Sequence, residues 1–399
     1  RLDTLEGKTI GLFAHFKGHS PVILEELARQ LKQRYPSAEF SMLQYKKDTQ
    51  EIEQDPEFAP VFQNWLSGVD CVISALGDMG SCALFLGYNT AYAEKLGKPA
   101  IMLCDKSFVP PAKRGASARM VPALRTVGTD LKDYSFVPAL DSAFVSGTVR
   151  PLIGQALNDI THALTDPLTK RETTPFVKDN SLASARFEGT LEEIGDLFYR
   201  HGWTNGTPIT LPTAQAVDAF LRCTDLPGDT VVAKLPPMLG KATVEKIAVN
   251  GVMAGCPPVA LPVLIAIVRG LIDSRIHLEG YTCSRGSWAP LAVINGPIRK
   301  QLGFHSGSAI LSHYNRLNAS VARAIGYIIM NLSGVRPALE DMSGMGHPGR
   351  LGMCIAENEE ESPWEPMKAR FGFAAEDSTV TLFGPSEQYS FMGRNPEVL

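Results

Sequence analysis

A six-residue segment at 77–82, with the sequence GDMGSC, combines a thiol with a glycine-rich turn. It follows an apolar run at 71–76, which predicts a buried strand, and precedes a run that predicts a helix. A helix N-terminus carries partial positive charge and unpaired N–H groups, so a cysteine there tends to have a lowered pKa. Cys82 is therefore the first candidate for a catalytic nucleophile. The alternative is a small buried residue that only packs at the helix start.

A second polar loop follows the first predicted strand, at residues 9–14. Ligands bind beyond the carboxyl ends of strands in open α/β sheets, so the two loops should face the same space. Imidazole and ammonium groups there predict a site for an anionic small molecule. The loop lacks the GxGxxG glycines, which weighs against NAD. The residues predicted to bind substrate in this half are His15, Lys17, His19, Gly80 and Ser81.

Three residues of the second half are further candidates for catalysis. His347 lies between glycine-rich turns, and an imidazole titrates near neutral pH, so it can act as an acid or base for a cysteine. Glu245 lies on a predicted helix, where apolar surroundings would raise its pKa and make it a base; an exposed helical charge is the alternative. Cys283 is a further thiol, for which packing is the commoner role.

Several second-half loops carry groups suited to hold a carboxylate. Arg285 and Arg316 can clamp it, and glycine-serine turns can supply backbone N–H donors. The predicted binding residues in this half are Trp203, Arg285, Asn295, Ser306, Arg316, Glu357 and Asn358.

An acidic cluster at 357–361 raises the question of a metal. With His347, Asp341 and His313 it could supply ligands to a divalent cation, but no HExxH or EF-hand spacing is present. The sequence therefore predicts no cofactor and no metal ligand, with a divalent metal as a minor alternative.

The elements that would position these residues alternate between strand and helix. Strands are predicted at 9–14, 39–44, 71–76 and 100–104, with helices at 21–31, 58–66 and 82–96. This order predicts a three-layer α/β domain with a mostly parallel sheet. Prolines and glycines make 105–185 look like loops and short elements. The predicted organisation is an α/β domain at 1–165, a linker at 166–186 and a second α/β or α+β domain at 187–399.

Composition excludes several classes of function. The 399 residues are 44% hydrophobic and 20% charged, with a formal net charge of −4 and no basic cluster, which argues against nucleic-acid binding. The longest apolar run, 259–268, is too short to span a bilayer. Seven cysteines without a CxxC pair fit a reducing cytoplasm. The predicted partner is a small-molecule substrate, and homo-oligomerisation stays open.

The GDMGSC segment resembles the motif of the UGSC family, named for selenocysteine-Gly-Ser-Cys, in which cysteine often replaces selenocysteine. The opening at 5–12 and the helix end at 94–99 are similar to the family as well. Gly80, Ser81 and Cys82 match the motif, whereas Met79 stands at the selenocysteine position. The resemblance implies a two-chalcogen redox reaction, which a thioether cannot perform. Residues 190–385 are similar to a module that accompanies UGSC domains.

Together these features predict a cytoplasmic two-domain enzyme with its active site between the domains. Cys82 would act as a thiolate on a small carboxylate-bearing metabolite, in lyase or transferase chemistry at a carbon–sulfur or carbon–heteroatom bond. Hydrolysis ranks lower because no GxSxG elbow is present. One alternative is a thiol oxidoreductase, with Cys104 or Cys71 as the second redox residue. The other is a noncatalytic small-molecule-binding or partner subunit.

Overall fold

The computed structural model describes residues 1–48, 50–174, 186–312 and 314–386. The chain divides into two compact units. The first unit contains Arg1–Arg186 together with two later segments, Thr282–Arg285 and Val335–Ser343; the remainder forms the second unit. The predicted domain limits of 1–165, 166–186 and 187–399 stay a prediction. Residues 175–185 of the predicted linker lie outside the described part of the chain.

A five-stranded parallel sheet forms the centre of the first unit. Its strands lie in the order β2-β1-β3-β4-β5. The strands are β1 Thr9–Ala14, β2 Glu39–Gln44, β3 Cys71–Gly77, β4 Ala100–Asp105 and β5 Arg125–Thr129. Five helices pack on this sheet: α1 His19–Arg34, α2 Ala59–Ser67, α3 Gly80–Lys95, α4 Val109–Ala118 and α5 Arg150–Thr165. A short helix, α6 Lys170–Thr173, follows α5.

Each face of the sheet is covered by its own apolar core. On one face, α1 and α5 contribute side chains such as Leu27 and Ile160. On the other face, α2, α3 and α4 contribute side chains such as Phe62, Leu86 and Ala112. The predicted three-layer α/β fold with a mostly parallel sheet is therefore confirmed.

Helices α3 and α4 approach closely because glycines face the partner backbone. A Cβ at Gly87 would overlap the carbonyl oxygen of Ala112, and one at Gly115 would overlap that of Leu84. Only glycine fits such contacts. The close packing leaves α3 buried along most of its length, which fixes the segment that carries Cys82.

The region expected to hold loops and short elements contains the helices α4 and α5, the short helix α6 and the edge strand β5. Pro110, Pro111 and Pro151 lie in the first turns of α4 and α5, whereas Pro122 and Pro138 lie outside the helices and strands. Proline is favourable there, because the first helical N–H groups have no partner within the helix and the fixed φ already suits a helix. For 105–185 the expectation of loops and short elements was therefore wrong at the helices α4 and α5, whereas residues 130–141 do lie outside helices and strands.

The second unit combines helices with two small sheets. A hairpin joins β6 Val231–Leu235 to β7 Gly240–Thr243. In the other sheet, β8 Leu291–Asn295 lies between the parallel strand β9 Met353–Ala356 and the antiparallel strand β10 Thr379–Phe383. The helices are α7 Leu191–Arg200, α8 Ala214–Leu221, α9 Val244–Ala254, α10 Leu261–Leu271, α11 Leu278–Cys283, α12 Ile298–Leu302, α13 Arg316–Ile328 and α14 Met367–Arg370. The last two residues of α11 belong to the first unit.

Helix α10 contains most of the apolar run at 259–268, and most of its side chains are buried. Across the described residues, none of the helices has both the length and the apolar character required to cross a membrane.

Candidate functional site

The turn between β3 and α3 places Asp78 and Cys82 at the carboxyl edge of the sheet. Met79, in extended conformation, is the N-cap of α3, and its carbonyl oxygen accepts a hydrogen bond of 2.8 Å from the Ala83 N–H. Gly77 is needed at the strand end, since a Cβ there would lie 2.7 Å from Cys104 Sγ. The turn is therefore tightly constrained by its neighbours.

A buried lysine lies between two carboxylates at this edge. Lys17 Nζ lies 2.9 Å from Asp78 Oδ1 and 3.1 Å from Asp133 Oδ2. Burial lowers the pKa of Lys17, but its interactions with Cys82, Asp78 and Asp133 raise it, and the net change is upward. Lys17 thus stays charged although only 6% of it is exposed.

The second oxygen of Asp78 contacts a histidine. His19, the first residue of α1, lies with Nε2 at 2.7 Å from Asp78 Oδ2, and its ring packs edge-on against Tyr134. Asp78 is almost completely buried and so accepts hydrogen bonds from both Lys17 and His19. This carboxylate joins the loops after β1 and β3.

His15 differs from these residues because its ring has no hydrogen-bond partner among the described residues. Its backbone N–H donates to the Ala75 carbonyl at 2.8 Å, which fixes the residue directly beyond β1. The side chain is buried, and neither Nδ1 nor Nε2 is paired. Burial, followed by the charges of Lys17 and His19, lowers the pKa of His15 to about 3.

The expected lowering of the Cys82 pKa is wrong. Burial raises the pKa of the Cys82 thiol to about 12, although the Lys17 ammonium acts in the opposite direction. The carboxylates of Asp78, Asp48 and Asp133 add to the increase. Desolvation of the thiolate therefore outweighs the helix N-terminus, and Cys82 is a neutral thiol in this state.

Asp78 and Asp133 were not among the predicted site residues. Asp78 lies within the GDMGSC segment, where an acid directly after a buried strand was the available signal. Asp133 follows β5, a strand that was not predicted, so no local signal pointed to it.

These acids also bear on the question of a metal. Among the described residues, one group of three potential ligands, His19, Asp78 and Asp133, has its ligand atoms within 4.8 Å of one another. Lys17 Nζ already binds both carboxylates, so the lysine itself supplies the positive charge that a metal ion would bring.

Four other candidates lie in the first unit. A Cβ at Gly80 would overlap the Cys283 carbonyl oxygen, so glycine is required where that segment crosses α3. Cys283 is fully buried in an apolar cluster with Leu84, Phe85 and Tyr88. Ser81 is buried, whereas Arg285 is exposed.

Two catalytic candidates and one binding candidate lie in the second unit, at an exposed helix start, at a helix cap and in an aromatic stack. Glu245 is exposed in the first turn of α9, so the expected apolar environment is absent. His347 Nδ1 accepts a hydrogen bond of 2.9 Å from the Gly349 N–H and caps a short 3₁₀ helix. Trp203 stacks on His201 with ring centroids 4.6 Å apart.

The predicted acidic cluster is folded onto an arginine. Arg299 Nη2 lies 2.8 Å from Glu359 Oε2 and 2.9 Å from Glu360 Oε1. Buried Asn295 donates to Glu357 and Glu359. Asn358 donates to Glu361. Each glutamate of the cluster thus has a hydrogen-bond or ion-pair partner within the chain.

The other binding candidates of this unit are more exposed. Ser306 is half-buried, and Arg316 is exposed, with a long contact of 3.4 Å to the Gly255 carbonyl. His313, named above as a potential metal ligand, lies outside the described residues.

The strand order and the cluster together define the class of the first unit. The order 2-1-3-4-5 is that of doubly wound, flavodoxin-like domains, which bind ligands where the strand order reverses, between β1 and β3. The polar cluster of His15, Lys17, His19, Asp78 and Cys82 lies at this position.

Residues 1–151, the N-terminal part of the chain, match the model of the UGSC family. No curated protein matches the chain. A solved structure of a flavone reductase is similar at 13% identity and a TM-score of 0.22, covering 39% of this chain and 65% of that chain. The similarity of residues 190–385 to an accompanying module stays a prediction.

Proposed function

We propose that the protein is a small-molecule enzyme in which the Cys82 thiol adds to an electrophilic carbon. The observation that carries this proposal is the buried ammonium group of Lys17, which lies close enough to Cys82 to lower its pKa. Taking a lysine and two carboxylates out of water is energetically unfavourable, so such clusters concentrate where a fixed charge has a chemical task. Lys17 is suited to stabilise negative charge on sulfur.

The high pKa of Cys82 sets the order of events. The thiol must lose its proton as the carbon–sulfur bond forms, because almost no thiolate is present beforehand. When the thiol adds to a polarised double bond, sulfur supplies the electron pair of the new carbon–sulfur bond. The π pair moves to the far atom of the double bond, and that atom gains the proton. Elimination reverses these steps, and acyl transfer expels a leaving group instead. Lyase and transferase chemistry therefore require the same residues.

The alternative hypothesis is a thiol oxidoreductase, which requires another cysteine near Cys82. Cys71 begins β3, and six strand steps of about 3.3 Å separate it from Gly77, roughly 20 Å in all. A disulfide needs Cα atoms within about 7 Å, which disfavours Cys71 as a partner. Cys104, whose Sγ lies beside Gly77, remains the candidate for this reading.

Alkylation with iodoacetamide tests whether Lys17 controls Cys82. Peptide mapping by mass spectrometry would give the rate at Cys82, with the half-buried Cys223 as an internal reference. Lys17→Met should slow Cys82 by about tenfold for each unit by which its pKa rises. Asp133→Asn should accelerate it, because Asp133 raises the pKa of Cys82. Neither variant should alter Cys223.

Two outcomes would contradict the proposal. One is a Cys82 that stays unmodified while Cys223 reacts completely; the other is a Cys82 rate that neither variant changes. Because Lys17→Met removes a buried charge, Asp133→Asn keeps the test valid if the first variant does not fold. A mixture of small aldehydes, ketones and unsaturated acids then tests turnover, which Cys82→Ser should abolish. We expect the protein to act in the cytoplasm, where Cys82 stays reduced.

A further inference from the structure

His15 is a buried imidazole that no described residue pairs with. It follows β1 directly, at the point where the strand order reverses, and its exposed fraction is 1%. Both ring nitrogens are unpaired, whereas its neighbours Lys17 and His19 bind carboxylates. An unpaired buried polar group is unfavourable, and most such groups in proteins have a partner. The ring is therefore positioned for a partner that a ligand brings.

The charges around His15 limit what that partner can be. Burial and the nearby positive charges of Lys17 and His19 keep the ring neutral. The cluster offers no excess positive charge, because the two carboxylates of Asp78 and Asp133 at least balance the ammonium and the imidazole beside them. A carboxylate or phosphate would thus find the cations of the cluster already paired with the carboxylates of Asp78 and Asp133. This differs from the anion site that the sequence predicts.

We infer that His15 binds an uncharged carbonyl oxygen of the substrate, so that the molecule attacked by Cys82 is an aldehyde, ketone, thioester or amide at this point. The inference rests on the proposed function, since it takes Cys82 as the attacking atom. A neutral imidazole has one N–H donor and one acceptor nitrogen. Its N–H can polarise a carbonyl without carrying charge, as neutral histidines do in other enzymes.

The step is balanced without a further reactant. Cys82 sulfur forms a bond to the carbonyl carbon, the π pair of the C=O bond moves to oxygen, and the thiol proton ends on that oxygen. The His15 N–H donates to the oxygen as its negative charge grows. For a thioester, collapse of this adduct expels the thiol leaving group and leaves the acyl group on Cys82.

Two alkylating reagents of nearly equal size test the inference. Iodoacetamide carries a neutral amide and iodoacetate a carboxylate; in both, sulfur bonds to the methylene carbon as the carbon–iodine bond breaks, and iodide and the thiol proton pass to solvent. The ratio of the two rates at Cys82, divided by the same ratio at Cys223, should favour the amide by about tenfold or more, because like charges repel the acid. In His15→Leu, the rate with iodoacetamide should fall about three- to tenfold, as expected for one lost hydrogen bond.

A binding measurement on the unaltered chain makes the test independent of the variant. Acetamide should shift the ring resonances of His15 in NMR spectra, and acetate at the same concentration should leave them unchanged. Equal rates for the two reagents at a reactive Cys82, or a shift with acetate alone, would overturn the inference but leave the nucleophile intact. A Cys82 that reacts with neither reagent would overturn the proposed function itself.

Discussion

Replacing Lys17 with methionine removes the ammonium between Asp78 and Asp133 but keeps an unbranched side chain of similar length. Asp78 and Asp133 then lose a cation in a place where their side chains are 0% and 9% exposed. Breaking a buried ion pair by removing one partner lowers the free energy of unfolding by about 3–5 kcal/mol. We expect the lower end, about 3 kcal/mol, because both carboxylates keep one donor.

Those remaining donors are visible in the structure. Asp78 still accepts from His19, and Asp133 still accepts from the Ser135 N–H at 3.0 Å. A loss of 3 kcal/mol raises the opening constant of the surrounding sheet by roughly a hundredfold. Hydrogen exchange of peptides from β1 and β3 in increasing urea would measure that opening.

The chain offers a matched control in the same unit. Lys106 and Asp130 form a pair of 2.7 Å with side chains 62% and 48% exposed. Lys106→Met should change stability by about 0–1 kcal/mol, as usual for surface pairs. If Lys17→Met and Lys106→Met differ by less than about 1 kcal/mol, burial does not strengthen the Lys17 pair and the reasoning fails.

Three further perturbations test other parts of the site. Gly80→Ala should lower the free energy of unfolding by about 2–3 kcal/mol, measured by urea unfolding, because the new Cβ overlaps the Cys283 carbonyl. Met79→Cys should let mild oxidation consume a pair of thiols, counted by thiol titration, since N-cap and third helical residues such as Cys82 are adjacent. The pKa of His15 is about 3 in the folded chain, against an ordinary value of 6.5. Between these two pH values the imidazole therefore binds a proton only when the chain unfolds. Stability should therefore fall by up to about 1.4 kcal/mol per pH unit below 6.5, and His15→Gln should flatten this slope in urea titrations.

Each of these three variants has a matched control. Gly147→Ala should leave stability unchanged or slightly higher, because nothing lies within 4 Å of that Cβ position. Adding Cys82→Ser to Met79→Cys should prevent the thiol loss; a loss that persists would place the disulfide elsewhere. His162→Gln, the same substitution at an exposed histidine of α5, is the control for this slope. A Gly80→Ala variant as stable as Gly147→Ala, or an unchanged slope in His15→Gln, would contradict the packing and burial described above.

The strands of the first unit could be predicted because their signals are local. The runs at 9–14 and 39–44 match β1 and β2 residue for residue, since each is bounded by polar or turn-forming residues. The same local reading failed at α4 and α5, where prolines start helices instead of ending them. Local sequence does not distinguish these two uses of proline without the neighbouring elements.

The site was only partly predictable for a related reason. His15, Lys17 and His19 could be proposed from their place after a strand, but their ionisation depends on partners distant in sequence. Asp133 binds Lys17 across more than a hundred residues. The pKa of Cys82 likewise follows from tertiary burial, which opposes the local effect of the helix start.

The two later segments that join the first unit have a consequence for cutting the chain. The polypeptide passes between the units five times, so no single break separates them. A break after residue 186 would leave Gly80 without the Cys283 carbonyl and Arg114 without its Glu340 partner, unless the C-terminal fragment stayed bound. The two fragments should therefore complement each other as a noncovalent pair, and residues 1–186 produced alone should expose the packing surface of α3.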